Sequence, residues 1–559
     1  MKTAIKRIFI LSGVVFFLAS TIEAQTGRQT RYEPGDWVTI ANFHYVTSFT
    51  EGNRFVYVGT TNGVLRFNQL SQEWEYPYTV SSGLSNGYVL NLYWNESASE
   101  LWVLTRGGID VISTVTDRWE NISDAEQYLQ TANRRLRIRD SGNSLYITNN
   151  GRNPFRVNKF THYVDPVNSI PDNVTKANPE QKIPGNIPQY FLDGQWIINR
   201  NNNTLQDEYF REYRFTVQYT DTQKQIWIGT WGAGFIKADA VTETGRVYRF
   251  GPLGTEVGAI FKDADRFWIG SAQSQFKGPS SIQGVPGISY WELADNNRWT
   301  HFRQRDEYSI DNATIYNIDG DSLGVWFGTE RGLLHYSTEN NRWENIKSSA
   351  VSSHQIYDVL VQDSLVWVAA RSGLYRLSNP RGTVSKHFEI LEERVIGVYA
   401  LARVGDKIFA GTDYGLLQLD IPTMELTFYD DEGKSAPPEE FRELRIYTLT
   451  GNDQAVYYAN DFGIFEQNLR KQTVRELPKV GLYARSIPRK VEFGAYGLWV
   501  GFDDGVGQYN PSTREWEFFT REDGLASNLV YDIVPNSDYI WFATRQGVTR
   551  FRPTKLRVR

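Results

Sequence analysis

Residues 540–552 read IWFATRQGVTRFR: a short apolar run, a tight polar turn ending in glycine, then a second run that alternates. The same shape stands at 325–337 as VWFGTERGLLHYS and at 408–420 as IFAGTDYGLLQLD. Apolar runs of five or six residues, joined by a two-residue turn and a glycine, read as hairpins of buried strands. Moving outward, the unit recurs at Phe55, Leu101, Leu145, Ile226, Phe267, Val366, Val456 and Leu498, which makes eleven copies. Most spacings lie between 41 and 48 residues. A twelfth, degenerate copy is expected near QWIINRNNN around Trp196, inside the long gap from 145 to 226.

Each unit resolves into four strands. SNLVYDIV (527–534) is an inner strand, IWFAT a second, VTRFR a third, and REWEFFT (514–520) the outer strand of the preceding unit. Four short antiparallel strands per ~42 residues mark a β-propeller blade. The fold class is therefore all-β, a propeller of about 11–12 four-stranded blades. The chain has 559 residues, too many for one ring of four to eight blades. Two rings are expected, and GDWVTI (35–40) reads as an outer strand that closes the last blade. On an equal division, 25–213 plus 480–559 form the first ring and 214–479 the second, with the crossover in 166–213.

The 17 tryptophans sort by repeat position. Trp102, Trp227, Trp268, Trp326, Trp367, Trp499 and Trp541 occupy the second strand. Trp37, Trp74, Trp119, Trp299, Trp343 and Trp516 occupy the outer one. Periodic aromatics of this kind fill the wedge between neighbouring blades. Trp94, Trp196, Trp231 and Trp291 fall outside the pattern.

The unit, seen in DGLASNLVYDIV…IWFATRQGVTRF and VWFGTERGLLHY…NRWENI, resembles the two-component-regulator propeller repeat. The resemblance covers most of 35–559 and is loosest near 145–213. It implies an extracytoplasmic, sensor-type module that binds ligands, often glycan-derived. The chain shows no kinase, response-regulator or transmembrane segment, so the resemblance implies a free-standing binding module.

Residues 1–24 read as a secretory signal peptide. Lys2, Lys6 and Arg7 precede a 12-residue apolar run, too short to span a bilayer. No later stretch is apolar enough for a membrane anchor. A secreted chain without cysteine fits a bacterial periplasm or surface. A net charge of −6 gives no footprint for nucleic acid.

No G-x-S-x-G, P-loop or H-E-x-x-H motif occurs, and no two of the six histidines share metal-pair spacing. No catalytic residue, metal site or cofactor is expected. Strand alternation puts the turn between the second and third strands on the same face as the linker into the inner strand. Turn residues on that face form the candidate ligand site: Arg106, Trp231, Arg331, Arg371, Asp413, Tyr414, Asp503, Asp504 and Arg545. The Gly/Ser/Pro-rich insertion 271–289 replaces one such turn and reads as a recognition loop. The expected function is a periplasmic or secreted binder of a small glycan-type ligand or an envelope protein partner. The alternatives are a polysaccharide lyase or glycosidase, and an assembly component of an outer-membrane secretion or surface complex.

Overall fold

A computed structural model describes residues 32–553, except 34, 133–135, 150–151, 172–173, 177–184, 186, 195, 273–285, 294–297, 304–309, 311–313, 345, 347, 353, 363, 389–395, 430–434, 437–443 and 537. The signal segment and the centre of the 271–289 insertion lie outside the described residues. Among the described residues, no helix is long and apolar enough to cross a membrane.

The described strands form eleven antiparallel-based sheets, with each repeat where the sequence puts it. In the last blade, Val530–Pro535, Ile540–Thr544 and Gly547–Phe551 are the first three strands. Glu515–Phe519 is the outer strand of the blade before. The second strand of each unit lies deepest. Trp102, Trp227, Trp268, Trp326, Trp367 and Trp499 have no solvent exposure, and Trp541 has 4%. These rings fill the inter-blade wedge, as in the contact of Trp499 with Phe519, Phe542 and Phe551.

The threonine that ends the second strand explains the motif chemically. Thr412 Oγ1 donates to the Gly415 carbonyl at 2.9 Å and accepts the Tyr414 N–H at 3.1 Å. Thr329 and Thr544 do the same across their own turns. The glycine takes a positive φ, +98° at Gly415 and +107° at Gly547, which a side chain would strain.

Innermost strands pack in a closed order: Val257–Lys262, Ile315–Gly320, Ile356–Gln362, Val398–Val404, Thr448–Gly451, Pro488–Gly494, Val530–Pro535, then Val257–Lys262 again. That is a ring of seven blades. Its last blade is closed by Trp37–Ile40, which pairs antiparallel with Gly547–Phe551, Trp37 opposite Phe551. The N-terminal ring contains, in spatial order, the inner strands Glu212–Thr220, Val46–Gly52, Val89–Asn95 and Leu136–Asp140.

The equal division expected from the sequence is therefore corrected. The C-terminal ring is 257–551 plus the clasp strand, and the chain leaves it only between 41 and 256. Linkers between blades look alike whether or not the next blade joins the same ring, so spacing does not mark the change. The crossover also lies elsewhere than 166–213, at two touching segments. Phe43 N–H donates to the Phe250 carbonyl at 3.1 Å, and Asn42 Nδ2 to the Leu253 carbonyl at 2.5 Å. Gly251 (φ +83°) sits so close that a Cβ would lie 1.7 Å from the Ala41 oxygen.

The expected twelfth blade is corrected too. Among the described residues, Ile197–Asn199 and Thr204–Gln206 form a hairpin added to the inner edge of Glu212–Thr220. No separate four-stranded sheet forms there among them.

Candidate functional site: the mouth of the C-terminal ring

Six of the seven inner strands of the C-terminal ring carry a β-bulge at one position, between the first and third residues. A bulge leaves one residue unpaired and re-aims its side chain. The unpaired residues are Gly258, Tyr316, Tyr357, Tyr399, Arg489 and Tyr531. Tyr447 holds the corresponding place just before Thr448–Gly451. The result is a collar of five tyrosines and one arginine.

Its members touch across blades. Ring centroids are 5.7 Å apart for Tyr316–Tyr357 and 4.9 Å for Tyr357–Tyr399. The Arg445 guanidinium lies over the Tyr399 ring at 4.9 Å. Tyr399 Oη donates to Asp413 Oδ1 at 2.8 Å, and Arg445 Nε donates to the same oxygen at 3.2 Å. Asp413 Oδ2 also accepts the Gly397 N–H at 2.9 Å, which ties the linker to the turn. Tyr531 Oη bonds the Glu256 carboxylate of the adjoining blade, and Tyr447 Oη donates to the Asn460 carbonyl.

Burial, then the hydrogen bond to Asp413, pushes Tyr399 up to about 12. Burial likewise raises Tyr316, Tyr357, Tyr447 and Tyr531. All five phenols are thus neutral at physiological pH.

The channel holds buried charge on the same inner strands. Asp358 Oδ2 accepts the Leu401 N–H, Asp319 Oδ2 the Val361 N–H, and Asp532 Oδ2 the Ile260 N–H. Each carboxylate thereby satisfies a backbone donor at the free inner edge of the next blade. Burial raises Asp319 and Glu492 to about 7 and Asp358 to about 6. Burial opposes charge on Lys490, but Asp532 (3.1 Å away), Glu492 and Asp358 outweigh it and raise its pKa. Among the described residues, no group of three or more His, Asp or Glu could hold a metal ion.

The turn residues singled out from sequence divide between the rings. Arg106 and Trp231 belong to the N-terminal ring. Arg106 stacks over Tyr88 at 3.9 Å, and Trp231 meets Tyr45 edge-on at 5.2 Å. The other seven lie in the C-terminal ring. Asp413 joins the collar directly, and Asp503 pairs with the collar's Arg489. Arg371 and Arg545 act electrostatically on Tyr357 and Tyr531. Asp504 accepts a hydrogen bond from Ser486 at 3.3 Å. Arg331 N–H closes its own turn on Thr329. Tyr414 packs against a hydrophobic cluster and bridges to Leu444. The 271–289 insertion does replace a turn, since Arg266–Ser271 and Ile288–Glu292 pair directly.

Sequence reasoning missed the collar. Its signal is a second periodic feature: Ile-Tyr at 315, 356 and 446, and Val-Tyr at 398 and 530.

No family model matches the chain. It is similar to Histidine kinase P4 of Formosa agariphila, 22% identical over 298 residues, which cover 48% of this chain and 21% of that protein. The match thus spans about a fifth of the relative's length. Among solved structures, the fold is similar to PorZ, described as an essential bacterial surface component of the type-IX secretion system of Porphyromonas gingivalis. The likeness covers 93% of this chain and 87% of that one at 13% identity and a TM-score of 0.57. A looser likeness joins it to the extracellular domain of a putative hybrid two component system from B. thetaiotaomicron. There the identity is 14%, the coverage 92% and 82%, and the TM-score 0.42. A histidine kinase thus stands among the proteins it is similar to, as the repeat resemblance implies.

Proposed function

We propose that this chain is a secreted or periplasmic, sensor-like binding module that takes a glycan-derived ligand over the collar of the C-terminal ring, without turning it over. One observation carries the reading: Tyr316, Tyr357, Tyr399 and Arg445 form a continuous file of rings and one guanidinium. Neutral phenol faces stack on the apolar faces of sugars, while their hydroxyls and Asp413 fix orientation. The carboxylates below are tied to backbone amides, which supports structural duty over catalysis.

The test is a thermal-shift screen against neutral and charged oligosaccharides, with turnover followed for every hit. A ligand that raises the melting temperature and stays intact supports the binder. A cleaved ligand means an enzyme.

A second reading, docking of an envelope protein partner, is supported by the fold shared with PorZ. It predicts that no oligosaccharide binds and that a co-purified envelope protein is lost when Tyr357 and Tyr399 are changed to Ala.

A further inference from the structure

A second cavity, of about 470 Å³, lies where the two rings meet. The N-terminal ring and its added hairpin supply Trp196, Asp207, Arg211, Arg246 and Arg249. The C-terminal ring supplies Arg298, Trp299, His301 and Trp343. The volume falls in the range of small-molecule sites.

Three of the four arginines there are paired. Arg211 pairs with Asp207 at 2.6 Å, Arg246 with Asp193 at 3.3 Å, and Arg298 with Glu292 at 3.4 Å. Among the described residues, Arg249 has no such partner. Its Nε and Nη2 are fully buried without any hydrogen-bond acceptor. Glu208, the remaining acid of the cavity wall, is exposed and makes no ion pair with Arg249.

An unpaired buried cation is costly, and folded chains normally supply it with a counter-charge. Burial lowers Arg249 to about 10, with Tyr213 and Asp207 opposing the effect and Arg303 and Arg211 adding to it. His301 accepts or donates at the Arg249 carbonyl, 3.3 Å away, and is held neutral by burial and by Arg249. The guanidinium also lies over the Trp196 ring at 5.6 Å, and Trp299 stacks parallel to His301 on the opposite ring. One guanidinium without an ion-pair partner, in a cavity lined by two indoles, describes an acceptor for one anion attached to a flat or ring-shaped body.

We propose that the inter-ring cavity binds a small ring compound bearing one carboxylate or phosphate, with Arg249 as its counter-ion and Trp196 or Trp299 against its ring. The site is separate from the collar and does not depend on it. Because it draws on both rings, its ligand would also fix their relative position.

The probes are sodium glucuronate, glucose 6-phosphate and glucose, titrated calorimetrically into the full chain at constant ionic strength. At least one of the two anions is expected to bind ten times more tightly than glucose, and which one does so tells carboxylate from phosphate. Arg249→Gln should bring that anion to the level of glucose, and Tyr399→Ala, at the collar, should leave it unchanged. Should Arg249→Gln fail to fold, Arg249→Lys keeps the charge without the planar fork and should weaken the anion severalfold. Equal binding of all three sugars, binding of none below 10 mM (~−2.7 kcal/mol at 25 °C), or undiminished anion binding in the folded Arg249 variant overturns the proposal.

Discussion

Replacing Trp37 by alanine tests the ring closure. The side chain is 4% exposed and stacks on Phe551 at 4.1 Å, with Phe542 and Phe519 at 6.3 and 5.9 Å. Truncation removes roughly 150–200 Å² of buried apolar area, which at ~25 cal/mol per Å² is about 4–5 kcal/mol. Direct large-to-small substitutions of buried Trp cost a similar ~3–5 kcal/mol. The clasp strand has only four backbone pairings to compensate. With a total stability of about 5–15 kcal/mol, the seven-bladed ring loses about a quarter or more. For a unit this large, that lowers the melting temperature by roughly 6–8 °C. Differential scanning calorimetry should show the C-terminal ring's transition moving down while that of the N-terminal ring stays in place. A loss below about 1 kcal/mol refutes the packing argument. Movement of the N-terminal transition alone refutes the assignment of the clasp to the C-terminal ring.

At the crossover, Gly251→Ala sets a Cβ against the Ala41 carbonyl at positive φ. It should cost at least ~2 kcal/mol, against ~1 kcal/mol for Gly142→Ala, which has positive φ and open space around it; comparable urea midpoints would contradict the close approach. In the channel, Asp319, Glu492 and Asp358 titrate in the fold at about 7, 7 and 6, above the ordinary carboxyl near ~4. The fold therefore holds protons that the unfolded chain releases. This contribution is full below about pH 4 and drains away as pH rises through 6 to 7. Asp319→Asn keeps an acceptor for Val361, so its urea midpoint should gain on the wild type between pH 5 and 8; a constant difference would show that Asp319 is ionised in the fold. At the collar, Tyr357→Ala should weaken an oligosaccharide hit by ~1–2 kcal/mol, measured calorimetrically, with little change in stability because the ring is half-buried.

Much of the architecture was legible because it is local. The Trp of the second strand, the Thr and the Gly recur at fixed offsets, and their roles are settled within one hairpin. The pairing of GDWVTI with the last blade was also readable, since an orphan outer strand at one end matches a missing one at the other. Ring membership was not readable. It depends on how the segments at 41–45 and 250–256 lie against each other, and Gly251 marks that contact only once its closeness to Ala41 is seen. The candidate site was half legible. The turn that contains Asp413 was found by topology. The tyrosines were overlooked because a strand pattern treats each as one more alternating residue, and only the bulge shows that it leaves the ladder. Arg249 gave no signal, since a lone arginine at a strand end is ordinary until its surroundings prove to lack an acceptor.

The clasp has a consequence for the order of assembly. Trp37 leaves the ribosome among the first described residues, and its partner Phe551 among the last. All the described strands of the N-terminal blades lie between 46 and 248, so those blades can form while the rest is still being made. The seven-bladed ring cannot close until synthesis has passed residue 551. Any product halted before that point keeps an unpaired edge on one side and a loose, tryptophan-bearing strand on the other, the kind of surface that quality-control proteases and chaperones recognise.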